Sequence, residues 1–123
     1  MNKWVCLVLG GVVGTGARYG LGEFVTKKVG AGFPWGTLAV NVSGCFVVGF
    51  LDTLFQKKFQ LSPHYRVLLI TGFCGAFTTF STFMMQTSQL WKETGPVPAL
   101  ANVGLSLGLG FGAFVLGEKL AFF

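Results

Sequence analysis

The stretch "GFCGAFTTFSTF", residues 72–83, lies inside a run from 67 to 91 that carries no Asp, Glu, Lys or Arg. Its surroundings are apolar enough for lipid, yet it packs in Thr78, Thr79, Ser81, Thr82, two glycines and four phenylalanines. A plain membrane-spanning helix needs none of that polarity. Gly72 and Gly75 weaken a helix, and the β-branched Thr78 and Thr79 follow directly. The segment therefore reads as a span broken near the middle of the bilayer. In lipid such a break persists only where the freed carbonyls and amides are buried in protein or line a cavity. Carbonyls freed at that depth make a cradle for a cation.

Working outward, the chain has 123 residues, of which 52% are hydrophobic and only 11% charged. A soluble domain would be about a quarter charged. The charges sit at boundaries: 29–51, 67–91 and 94–117 contain none. Each window exceeds the roughly 20 residues a spanning helix needs. A fourth apolar stretch begins at Trp4 and is interrupted by Arg18. The expectation is an all-α membrane protein, a single transmembrane domain over 1–123, with helices at about 4–24, 33–55, 66–90 and 97–119. Lys3 precedes the first apolar stretch as in a secretory signal, but no small-residue cleavage pattern follows, so the segment is expected to be retained. Cys6, Cys45 and Cys74 lie in apolar segments without metal-site spacing, which favours packing roles. His64 beside Pro63 reads as a loop residue. The net charge of +5 involves no basic cluster larger than two adjacent lysines. These are interfacial anchors against the lipid bilayer, not a nucleic-acid surface.

With four spans, both termini and the 57–66 loop share one side. That side carries Lys3, Lys57, Lys58, Arg66 and Lys119, against Lys27, Lys28 and Lys92 on the other. The bias is weak under the positive-inside rule, so a chain this balanced can insert in either sense. Four short helices cannot surround a water-filled path, and no internal repeat is visible. Two copies inserted in opposite senses would supply the inverted symmetry that many transporters carry within one chain. An antiparallel, dual-topology homodimer is therefore expected. Gly104, Gly108 and Gly112 form one small-residue ridge, and Gly10, Gly14 and Ala17 another. Ridges of this kind serve packing within a subunit or between subunits.

Polar residues at membrane depth are costly unless partnered or functional. The inventory is Arg18; Thr37, Asn41 and Ser43; Thr71, Thr78, Thr79, Ser81, Thr82, Gln86 and Thr87; Asn102 and Ser106. No carboxylate falls mid-span, since Glu23, Asp52, Glu93 and Glu118 lie at or near the predicted ends. Neutral donors plus one permanent cation suit an anion. Phe80 and Phe83 are three apart and share a helical face. Their positive ring edges could contact a small anion, while the same pattern also fits plain packing against lipid.

Three motifs carry a resemblance: "GGVVGTGARY" (10–19), "GTLAVNVSGCFVVGF" (36–50) and "GFCGAFTTFSTF" (72–83). In this order and in a chain of this length they resemble the Fluc/CrcB family of fluoride-specific channels. The resemblance covers essentially the whole chain. It implies a dual-topology homodimer with two antiparallel fluoride pores. It also implies a structural, untransported sodium ion (Na+) at the dimer centre, held by backbone carbonyls of Gly75 and Thr78 from both subunits. Phe80 and Phe83 would line the pore, Asn41 would donate to fluoride, and Ser81 and Thr82 would form a polar track. Arg18 matches the family's basic residue in the first helix, as a vestibule residue or one snorkelling to the membrane edge. A tyrosine is common in the family near the position of Asn102. Ser106, one turn later, is preferred here as the pathway residue of the fourth helix.

The function so implied is passive export of fluoride across the cell's plasma or inner membrane, relieving fluoride toxicity. Hydrogen fluoride enters as a neutral acid, dissociates in a more alkaline cytoplasm, and the anion leaves down a potential worth about 2.3 kcal/mol per charge per 100 mV. No nucleophile–base pair is visible, so an enzyme is not expected. The alternative is a proton- or sodium-coupled small-solute carrier similar to small multidrug exporters, whose embedded glutamate in an early helix is missing here.

Overall fold

The structure, a computed structural model, describes residues 2–57 and 63–122; Lys58, counted above among the anchors, lies outside them. All regular structure in the described residues is helical. Helix α1 spans Lys3–Val29 and is capped by Asn2, whose Oδ1 accepts from the Val5 N–H at 2.9 Å. That bond satisfies one of the donors a helix N-terminus leaves open. Gly30 stops the helix at φ 103°, a conformation that a side chain would strain, with its N–H on the Thr26 carbonyl at 2.8 Å. Helix α2 spans Trp35–Lys57 and starts directly after Pro34, whose fixed φ suits a helix entrance.

The third span is built from pieces. Helix α3 (Pro63–Arg66) leads into a π-helical stretch, Val67–Cys74, and then a short helix α4, Gly75–Phe77. Thr78 (φ −89°, ψ 155°) and Thr79 (φ −150°, ψ 125°) are extended, and helix α5 runs over Phe80–Thr94. Gly95 at φ 99° turns the chain into helix α6, Pro96–Phe122. Lys3–Val29, Trp35–Lys57, Pro63–Thr94 and Pro96–Phe122 are each long and apolar enough to cross a membrane. The chain is a multi-pass membrane protein. Its helices run past the charge-free windows because flanking residues such as Lys27 and Lys57 continue the same helical turns.

Backbones meet where glycine removes the side chain. A Cβ at Gly10 would overlap the Leu68 carbonyl, and one at Gly14 the Phe73 carbonyl, so α1 lies directly on the π-helical stretch. On the other side α2 and α6 interlock reciprocally, with Gly49 against the Phe114 backbone and Gly117 against the Phe46 carbonyl. The Gly10 and Gly14 ridge thus works within the chain, whereas a Cβ at Gly104, Gly108 or Gly112 would meet no atom of the described residues within 4 Å. Val8, Val12, Leu107 and Phe111 point outward, which suits a chain solvated by hydrocarbon. At the end of α2, Asp52 accepts from Arg66 Nη2 at 2.5 Å and from Gln56 Nε2 at 3.0 Å, tying α2 to the start of the third span.

Candidate functional site

The extended pair Thr78–Thr79 organises the polar residues around it. In a continuing helix the Thr79 N–H would bond the Gly75 carbonyl and the Phe80 N–H the Ala76 carbonyl. Neither bond forms. The Thr79 N–H instead donates to Asn41 Oδ1 at 2.9 Å, while Asn41 Nδ2 donates to the Thr79 carbonyl at 3.0 Å. One carboxamide thereby satisfies both backbone groups of a residue that has left the helix, as a neighbouring strand would. Arg18 Nε donates to the Ala76 carbonyl at 3.0 Å, standing in for the missing amide. The half-buried residue is tied to the third span through that bond.

Two polarities emerge around the interruption. On its N-terminal side, the Gly75 carbonyl has lost its helical donor, and Gly75 is exposed. The Thr78 carbonyl forms no hydrogen bond among the described residues, and the Thr78 hydroxyl and N–H both donate to the Cys74 carbonyl at 3.0 Å. On its C-terminal side, Thr79 caps α5 by accepting from the Thr82 N–H at 3.3 Å. The first amides of α5 thus point toward the interruption with the positive end of the helix dipole. Asn41 retains a second Nδ2 hydrogen, and the Arg18 Nη groups make no hydrogen bond among the described residues. Freed oxygen acceptors and cationic or N–H donors thus gather around the same interruption.

Beyond it, the Phe80 and Phe83 rings lie 6.0 Å apart and tilted by 59°. Phe83 is 6% exposed and Phe80 73% exposed, so one ring belongs to the chain's core and the other projects from it. Ser81 is exposed and Thr82 half-buried. A cleft of about 300 Å³ opens beside the interruption, its lining including Arg18, Thr37, Thr79, Thr82 and Gln86. Gln86 Oε1 is buried there without a hydrogen-bond partner among the described residues.

The structure brings Arg18, Asn41, Gly75, Thr78 and Thr82 together around one backbone interruption. Ser106 is half-buried and makes no hydrogen bond among the described residues. Asn102 is 2% exposed and donates to Thr87 Oγ1 at 2.9 Å, which itself donates to the Phe83 carbonyl at 2.7 Å. Two contributors escaped the sequence reading. Thr79 appeared there as a helix weakener but is the residue Asn41 grips. Gly44, three residues after Asn41 and hence on the same face of α2, lets the Thr78 methyl and Phe77 ring approach. The i, i+3 spacing of Asn41 and Gly44 was the available signal.

The chain matches the family model described as "CrcB-like protein, Camphor Resistance (CrcB)" over residues 5–118. It is 44% identical over 119 residues to the fluoride-specific ion channel FluC of Desulforapulum autotrophicum, covering 97% of this chain and 95% of the relative. The protein of the same name from Solibacter usitatus is 45% identical over 119 residues, covering 97% and 98%. That of Rhizobium johnstonii is 42% identical over 117 residues, covering 95% and 94%.

Proposed function

The chain belongs to the CrcB-like family, and from that membership we propose that it is a fluoride-selective ion channel that exports fluoride passively from the cytoplasm. A channel makes and breaks no covalent bond, and this chain is not an enzyme. The observation that carries the reading is the pairing of polarities at Thr78–Thr79, with Arg18 and Asn41 supporting the interruption. Fluoride would pass these donors, using the Asn41 amide, the hydroxyls of Ser81 and Thr82 and the ring edges of Phe80 and Phe83. Selectivity would come from replacing part of the hydration shell along a narrow path.

One protomer presents too little to enclose such a path, and Phe80 projects away from it. We place a second, oppositely inserted copy against that face, in the plasma or inner membrane. The neutral carbonyls of Gly75 and Thr78 fit a monovalent hard cation. Duplicated by the partner, they would hold a structural sodium that bridges the protomers and is not transported. The test of function is efflux from liposomes loaded with fluoride. A channel releases it rapidly once a potassium shunt is supplied and needs no proton gradient, whereas a coupled carrier stalls without one.

Two substitutions probe the parts. Phe80→Ile removes a ring edge at little cost to the protomer's packing, and should lower fluoride flux by up to about tenfold, the range an aromatic contact spans. Wild-type flux from that variant would count against the aromatic path. A Cβ at Gly75 meets only the Ile70 carbonyl, at 3.9 Å, so the protomer itself has room for a side chain there. Gly75→Leu is expected to yield folded protein that elutes as a monomer on size exclusion. A stable, conducting Gly75→Leu dimer would remove the carbonyl bridge.

A further inference from the structure

We propose that Glu23 and Glu93 act as an electrostatic brake on anions approaching Arg18, an inference that rests on the fluoride-channel reading above. Both carboxylates line the cleft that reaches Arg18 and Gln86, and both are exposed, which puts them at its mouth. Glu23 follows Arg18 by five residues on α1, about 7.5 Å along the axis, and Glu93 follows Gln86 by seven on α5, about 10.5 Å.

Neither carboxylate has an ion-pair partner among the described residues. The one ion pair among the described residues joins Arg66 to Asp52, at the opposite end of the spans. Lys27, Lys28 and Lys92 stand on the same side as the cleft but do not line it, and Lys28 Nζ sits over the Phe24 ring, 5.7 Å from its centroid. The cleft therefore holds two carboxylates against one guanidinium whose Nε is already committed to Ala76. An anion drawn toward Arg18 must pass the two carboxylates that line its cleft, and each repels it. The carboxylates hold no ligand in this scheme; they act through their field.

A unit charge about 10 Å away changes the local concentration of a monovalent ion by about twofold in a water-like dielectric, and low-dielectric walls focus that field. The brake acts when admission limits the current, at low fluoride. It fades with salt, because the Debye length falls from about 30 Å at 0.01 M to about 10 Å at 0.1 M.

The experiment is single-channel recording of purified protein in planar bilayers, with sodium fluoride as the permeant salt, at low and high ionic strength. Glu23→Gln and Glu93→Gln should each raise the unitary fluoride current about twofold near 0.01 M, and the double variant about fourfold, with the gain shrinking at high salt. A damaged fold does not produce a larger current, so this outcome cannot come from misfolding. Unchanged or smaller currents at low salt, or a gain equally large at high salt, would overturn the brake. No fluoride current from the wild-type chain would overturn the channel reading itself, and the proposal with it.

Discussion

Asn41→Asp is expected to cost at least about a hundredfold in fluoride flux, the scale of the roughly 2.5–3.5 kcal/mol that a charged residue costs at the centre of a span. The substitution is nearly isosteric, so its effect is chemical. One carboxylate oxygen still accepts from the Thr79 N–H, but the other faces the Thr79 carbonyl, where Asn41 Nδ2 now donates at 3.0 Å. A hydrogen bond becomes a repulsion between two oxygens. The variant also sets a negative charge beside the path proposed for an anion. Asn41→Ala removes both bonds without adding charge, and should lie between the wild type and Asn41→Asp. Liposome efflux measures the loss, and size exclusion in detergent checks that the protein still folds. Full flux from Asn41→Asp would mean that the carboxamide neither supports Thr79 nor lines the path.

What could be read in the sequence followed from periodicity and charge. Stretches free of charge mark the spans because a helix in lipid tolerates few ions, and each stretch falls mostly within one long helix, although the 29–51 stretch also takes in the turn before α2. Phe80 and Phe83, three apart, do bring their rings within 6.0 Å, since α5 is regular there. Contacts between distant segments were not legible. Arg18 is 58 residues from Ala76, and its partner is a backbone carbonyl, which has no letter in a sequence. The same holds for Asn41 and Thr79. Nothing in "VLLITGFC" announces a π-helical stretch, whose widened turns are set where α1 lies against it through Gly10 and Gly14. Asn102, two per cent exposed, is tied to the third span through Thr87, a contact between distant segments that the sequence did not show.

Gly44→Ala should be nearly as damaging as the loss of Asn41, and its damage should be reversible. A Cβ at Gly44 would overlap the Thr78 Cγ2 methyl and press on Phe77 Cδ2 at 3.2 Å. The methyl cannot simply rotate away, because the hydroxyl on the same carbon holds the Cys74 carbonyl at 3.0 Å. The conflict must therefore move α2 off the extended pair or break that bond. Either response loosens the Asn41 grip on Thr79, one turn back along the same face of α2. Overpacking of this kind costs about 1–3 kcal/mol, so a fall in flux of roughly ten- to a hundredfold is expected. Thr78→Ser deletes the offending methyl, keeps the hydroxyl and leaves the backbone carbonyl in place, so alone it should be mild. Combined with Gly44→Ala it should restore most of the flux, giving a coupling energy of the size contacting residues show. Additive losses in the double variant would place the fault at Phe77 instead. Wild-type flux from Gly44→Ala alone would mean that α2 does not press against the interruption in the conducting protein.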